Sequence, residues 1–245
     1  ENGNRCYYDG ETVRKATLHA VGDASGKIGT GALVAFADQL SGYNLLTGAY
    51  SLQGTGNDLY LTLDARYNYI AYNAINGRKG AVGGYNYKTG EILCMASTPT
   101  FDPANPPVIE EGDEQYDGVY INRFLSGTFV PGSVFKTVTL AAAIENIPDL
   151  FDRTWTCTGS AQVGEGTVTC PSAHGDMDIY GALASSCNGV FAQLAVELGP
   201  EVMTSYAEKA GLTSSYEVSG ISTAKGRFDL TSATVNDQGW AGVGQ

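Results

Sequence analysis

The pattern of hydrophobic and polar positions changes near residue 57. Residues 1–57 are glycine-rich and weakly periodic, punctuated by Gly22, Gly26, Gly29 and Gly31, with a short helix expected from Ala32 to Ala37. They read as the end of another module, over residues 1–56, without a core of its own. From Asn57 onward, Leu59, Leu61 and Leu63 alternate with Tyr60 and Thr62, the period of a strand, and Asp64 opens a helical pattern reaching about Asn76. Gly80 to Tyr87, Lys88-Thr89-Gly90, and Glu91 to Ser97 read as strand, tight turn and strand. Pro99, Pro103, Pro106 and Pro107 then mark loops. The acidic run Glu110, Glu111, Asp113, Glu114 and Asp117 reads as a solvated loop. Helices are expected near 133–146, 178–185, 189–198 and 201–210. The last 25 residues are polar and glycine-punctuated, and they predict a loop with no terminal element. No internal repeat is visible.

The 43% apolar fraction of this 245-residue chain supplies a real core and excludes wholesale disorder. A net charge of −12 argues against nucleic acid and against a polybasic membrane-surface module. No run of about 18 apolar residues occurs, and the first residues lack a signal-peptide profile. Among the five cysteines there is no CxxC pair. Cys157 and Cys170 lie 13 residues apart, with His174 four residues later. Zinc there would need a fourth ligand that the neighbouring sequence does not offer. In an extracytoplasmic protein this spacing predicts a short disulfide-closed loop, with two free thiols as the alternative.

Serine chemistry without histidine is what remains for catalysis. GxSxG is absent, and His19 and His174 are the only histidines, so a Ser-His-Asp hydrolase has little to stand on. HExxH, the Walker P-loop and GxGxxG are missing too. The candidate is Ser133-Val134-Phe135-Lys136: residues three apart share a helical face, so the Lys136 amine can reach the Ser133 hydroxyl. A hydroxyl becomes a good nucleophile only when a nearby base takes its proton. Lysine can be that base where desolvation keeps it partly neutral. Pro131-Gly132 would set Ser133 at a helix N-terminus, whose dipole favours the developing alkoxide.

SxxK alone is weak, since about half a match is expected by chance and Ser133 could be a simple helix cap. A second match, Ser222-Thr223-Ala224-Lys225, precedes a polar stretch and reads as coincidence. Ser186-Cys187-Asn188, the only SxN in the chain, lies between two expected helices. Its hydroxyl could relay a proton and its amide could hold a peptide, although a helix–helix turn with an Asn cap would explain it in isolation.

Together these segments resemble the penicillin-binding proteins, which share the Ser-x-x-Lys and Ser-x-Asn signature with the serine β-lactamases. Ile121-Asn122-Arg123 with Pro131-Gly132-Ser133-Val134-Phe135-Lys136 is similar to the family's NR…PGSxFK run. Ala182-Leu183-Ala184-Ser185-Ser186-Cys187-Asn188 is similar to its AL..SCN segment. Gly80-Ala81-Val82, Lys88 to Leu93, Ser97 and Phe101-Asp102-Pro103 resemble the hairpin that opens the transpeptidase domain. The resemblance covers roughly 57–245 and is closest to class B, monofunctional members. The family's third motif, Lys-Thr/Ser-Gly, should follow SxN. Lys88-Thr89-Gly90 precedes Ser133 and reads as a hairpin turn, so the third motif is expected beyond Gln245 and the domain is expected to be incomplete.

The resemblance implies an α/β fold of the transpeptidase and serine β-lactamase type: an antiparallel five-stranded sheet flanked by helices, with 80–97 supplying the first two strands. It implies acyl transfer on D-Ala-D-Ala stem peptides of peptidoglycan. Ser133 would be the nucleophile, Lys136 the base, Ser186 the proton relay and Asn188 a substrate-amide contact. The Ser133 N–H would be one oxyanion donor, and no metal or cofactor is required. The implied partners are stem peptides, β-lactam antibiotics and membrane proteins of cell-wall synthesis, and not nucleic acid. The implied location is the outer face of the bacterial membrane, through an N-terminal anchor outside this chain. Two alternatives share the first motifs: a class D-like β-lactamase, and a non-catalytic β-lactam sensor or scaffold.

Overall fold

The computed structural model describes residues 7–43, 46, 48–49, 56–75 and 77–245. They form two compact units, one reaching Gly127 and including 216–224, the other spanning 128–215 and 225–245.

In the first unit, helix α1 (Glu11–Val21) is followed by single turns α2 (Ala32–Ala35) and α3 (Ala37–Leu40), then α4 (Ala65–Ile75). Strands β1 (Gly80–Tyr85) and β2 (Ile92–Thr98) form an antiparallel hairpin, and α5 (Arg123–Ser126) closes the run. The hairpin turn is the one the sequence predicts: Gly90 donates to Asn86 O at 2.8 Å with φ of 77°, a conformation that glycine adopts without a Cβ penalty. Helix α1 was not expected, yet Ala16 packs with Ala71 and Tyr72 of α4 and Ala96 of β2. Leu18 and Ile28 are buried with Phe101 and Val119, each large apolar side chain contributing about 1.5–3 kcal/mol.

The Leu59–Leu63 segment is not a strand. It runs extended beside β2, held by Thr62 Oγ1 to Ile92 O (2.7 Å) and Asp64 N to Leu93 O (2.9 Å), while Leu59 and Leu61 stay exposed. Alternation there reflects an edge that pairs too sparsely to form a ladder.

In the second unit, α6 (Lys136–Asn146) is followed by β3 (Trp155–Cys157), β4 (Ser160–Val163), β5 (Gly166–Thr169) and β6 (Gly175–Met177). Next come α7 (Ile179–Ala184), α8 (Asn188–Lys209) and α9 (Val235–Gly242). β3 pairs with β6 and β4 with β5, both antiparallel. Gly199 (φ 79°) and Pro200 break α8 where the sequence predicts two helices. The core gathers Phe135, Ala142 and Leu150 with Val190, Phe191, Leu194 and Met203.

Helix α9 corrects the expected terminal loop. Thr234 and Asp237 form a reciprocal capping box, and Ala241 and Val243 are buried. Its glycines are packing positions: a Cβ on Gly239 would collide with Val163 of β4, and one on Gly242 with Ala195 of α8. The sheets of the described residues are all two-stranded, where the sequence resemblance implies a five-stranded one. No described helix is long and apolar enough to cross a membrane.

Candidate active site

Ser133 lies in a 3-10 turn, Gly132–Phe135, that runs directly into α6. Phe135 anchors this turn, buried and stacked on Phe228 with ring centroids 5.2 Å apart. Gly132 N donates to Gly244 O at 2.9 Å, and Thr139 Oγ1 donates to Gly242 O at 2.7 Å, so the segment around α9 braces both sides of the turn. The result is an exposed Ser133 beside a Lys136 that is only 1% exposed.

The second motif is a helix end. Helix α7 stops with Ser186 N donating to Leu183 O (3.0 Å) and Cys187 N to Ala182 O (2.9 Å), the paired bonds of a Schellman motif. The residue such a motif places in the left-handed region is usually glycine. Here it is Ser186, with φ of 53°. A serine in that conformation carries strain of order 1–2 kcal/mol. Asn188 then opens α8, with Cys187 at the N-cap position.

These elements bring all four sequence-predicted residues together. Lys136 Nζ lies 3.1 Å from Ser133 Oγ, 2.9 Å from Ser186 Oγ, 2.7 Å from Ser186 O and 2.6 Å from Asn188 Oδ1. The Asn188 amide is fixed from its other end by Nδ2 donating to Thr169 O at 2.8 Å. Thr169 contributes only a backbone carbonyl, so no side-chain signal could have revealed it.

The two closest partners of Lys136, Ser186 O and Asn188 Oδ1, can only accept hydrogen bonds. A neutral amine would give its two N–H groups to them and keep its lone pair for a hydroxyl. Ser133 and Ser186 offer that hydroxyl. Burial pushes the Lys136 ammonium below its ordinary value, and nearby Cys170 and Cys187 oppose this weakly. Among the described residues no carboxylate forms an ion pair with it.

The rival Ser222 lies on a two-residue strand, Ile221–Ser222, where positions three apart do not share a face as they do on a helix. The motif residues Asn122 and Arg123 are structural. Asn122 caps α5 and donates to His19 O at 3.2 Å, and Arg123 donates to Gly118 O at 2.9 Å.

The expected Cys157–Cys170 disulfide is not formed. Both residues are free thiols with sulfurs 3.8 Å apart, and Cys187 reaches Cys170 at the same distance. A third thiol, brought in by the Ser186-Cys187-Asn188 turn, makes the group larger than a pair.

A family model described as the penicillin binding protein transpeptidase domain matches residues 80–240. The chain belongs to this family. This transpeptidase-family chain is 34% identical over 166 residues to penicillin-binding protein PbpB of Mycolicibacterium smegmatis, an alignment covering 64% of the chain and 25% of that protein. It thus spans about a quarter of the length of that curated relative. Among solved structures it resembles the D,D-transpeptidase domain of a peptidoglycan glycosyltransferase from Eggerthella lenta. The TM-score is 0.78 at 28% identity, covering 100% of this chain and 57% of that one. It also shares the fold of M. tuberculosis penicillin-binding protein A in a ceftriaxone acyl-enzyme complex, with a TM-score of 0.79 at 21% identity over 98% of this chain and 59% of that one. The fold is thus the α/β transpeptidase fold that the sequence motifs imply.

Proposed function

We propose that the protein containing this chain is a serine-type peptidoglycan D,D-transpeptidase. The contact that carries this reading is Lys136 Nζ at 3.1 Å from Ser133 Oγ, with the amine's two closest partners, Ser186 O and Asn188 Oδ1, restricted to accepting. Family membership supplies the reaction class, and the Eggerthella lenta relative is named a D,D-transpeptidase domain.

In this reading Lys136 removes the Ser133 proton, and the alkoxide attacks the penultimate carbonyl of a D-Ala-D-Ala stem peptide. The tetrahedral oxyanion is stabilised in part by the Ser133 N–H. Collapse breaks the C–N bond, and the departing D-Ala amine takes a proton delivered through Ser186, whose hydroxyl is 2.9 Å from Lys136. The amine of a second stem peptide attacks the ester, gives up a proton by the same route and regenerates Ser133. Asn188 orients Lys136 through Oδ1, and its second N–H is available to a substrate carbonyl. β-Lactams acylate the same serine.

The proposed partners are stem peptides and cell-wall synthesis proteins at the extracytoplasmic face of the cell membrane, with residues 57–245 as part of the transpeptidase domain and 1–56 as the end of a preceding module. The test is incubation of the full-length protein with a D-Ala-D-Ala donor peptide and an acceptor amine. Release of D-Ala with formation of a new amide is expected. Rapid turnover of a β-lactam without cross-linking would instead favour a β-lactamase.

A further inference from the structure

We infer that Cys157, Cys170, His174 and Cys187 form a zinc site. Their donor atoms all lie within 4.8 Å of one another. The Cys157–Cys170 and Cys170–Cys187 sulfur separations are both 3.8 Å. Zinc–thiolate bonds are about 2.3 Å, and a tetrahedron's edge is about 1.63 times its centre-to-corner distance, so two thiolates on one zinc sit about 3.8 Å apart. A disulfide brings its sulfurs to about 2.05 Å. The observed spacing is that of ligands sharing an ion.

A second observation points the same way. His174 Nδ1 is buried and has no hydrogen-bond partner. Leaving a buried polar atom unpaired is costly, and ligation would satisfy it.

The frame is set by backbone pairing. Cys157 ends β3, and its carbonyl accepts from His174 N at 3.1 Å. Cys170 N donates to Gly159 O at 2.9 Å, and Cys187 is held by the Schellman bond to Ala182 O. The sequence offers three of these ligands within 18 residues, and the helix turn brings the fourth.

Three thiols and an imidazole, with no oxygen ligand, suit zinc and exclude magnesium or calcium. Four protein ligands complete the tetrahedron, which defines a structural site with no open position. Binding is balanced by proton release: each protonated thiol that becomes a thiolate ligand gives its proton to solvent. Because Cys187 is the middle residue of Ser186-Cys187-Asn188, the ion would tie β3 and the β5–β6 connection to the turn that carries Ser186 and Asn188. That positioning consequence rests on the catalytic reading above; the metal site does not.

The test uses full-length protein purified in reductant without chelator. One equivalent of zinc per chain is expected by elemental mass spectrometry. Cobalt exchange should give sulfur-to-cobalt charge-transfer and tetrahedral absorption bands. Zinc added to stripped protein should release protons as the thiols become thiolate ligands. Cys170→Ser and His174→Ala should each weaken zinc binding roughly 100-fold or more, since loss of an outer-shell partner alone costs 10–100-fold. If those variants misfold, the wild-type cobalt spectrum and proton release still decide. Substoichiometric zinc with no cobalt–thiolate band would overturn the site, as would a Cys157–Cys170 cross-link mapped in the isolated protein. Zinc-replete protein that no β-lactam acylates would instead count against the catalytic reading.

Discussion

Lys136 Nζ sits 3.1 Å from Ser133 Oγ, the buried amine one turn along the chain from an exposed hydroxyl. If that amine is a base, Lys136→Arg keeps the charge but cannot be deprotonated at working pH. Acylation by a β-lactam should fall roughly 100-fold or more. In the wild type the rate should rise with pH through an apparent pKa below that of ordinary lysine, because the neutral amine is the active form and burial favours it. Stopped-flow acylation across pH checks both, and a near-normal rate in the Arg variant would show that the charge alone matters.

The left-handed Ser186 allows strain and chemistry to be separated. Ser186→Gly removes the hydroxyl and the backbone penalty at φ 53°, so it should stabilise the protein by about 1 kcal/mol while slowing acylation. Ser186→Ala should slow acylation similarly without the gain in stability. Urea unfolding and acylation kinetics on the pair check this; equal stabilities would mean that the turn is not strained.

Asn122, 1% exposed, accepts from Phe124 N and Leu125 N and donates to His19 O. Asn122→Ala removes the cap and leaves a buried carbonyl unpaired, an expected loss of about 2 kcal/mol. Asn122→Asp keeps the cap but turns a carboxylate oxygen onto the His19 carbonyl in a buried site, so it should lose at least as much. Chemical denaturation gives the order.

His19 should make the protein acid-sensitive. Burial holds it down to about 4, with its hydrogen bond to Val119 O opposing and the Arg123 charge assisting. The unfolded chain, titrating near 6.5, then binds the extra proton first. Stability is therefore fully present above pH 6.5 and falls by roughly 3 kcal/mol on going to pH 4. His19→Gln should flatten that slope. Unfolding midpoints at several pH values measure it, and parallel slopes for the two proteins would contradict it.

Local signals made much of this legible. Helices α4, α6, α7 and α8, the β1–β2 hairpin and the break at Gly199-Pro200 all follow from periodicity and turn residues acting over a few positions. Long-range packing hid the rest. Helix α1 buries Ala16, Leu18, His19 and Ala20, too small and polar a set to show a stripe, because its partners come from α4 and β2. Gly239 and Gly242 read as punctuation in the sequence, but they let α9 pack against β4 and α8. Four site residues were visible as spaced motifs. The left-handed Ser186, the Thr169 carbonyl and the gathering of Cys187 with Cys157, Cys170 and His174 depend on backbone geometry, which spacing does not carry.

The central claim is that Ser133 is the acylated nucleophile. Full-length protein incubated with a penicillin and analysed by intact mass and peptide mapping should gain one drug mass, located on Ser133. Ser133→Ala should abolish labelling while unfolding at the wild-type midpoint, and Ser222→Ala should label normally. An adduct on any other serine, or undiminished labelling of Ser133→Ala, would contradict the account.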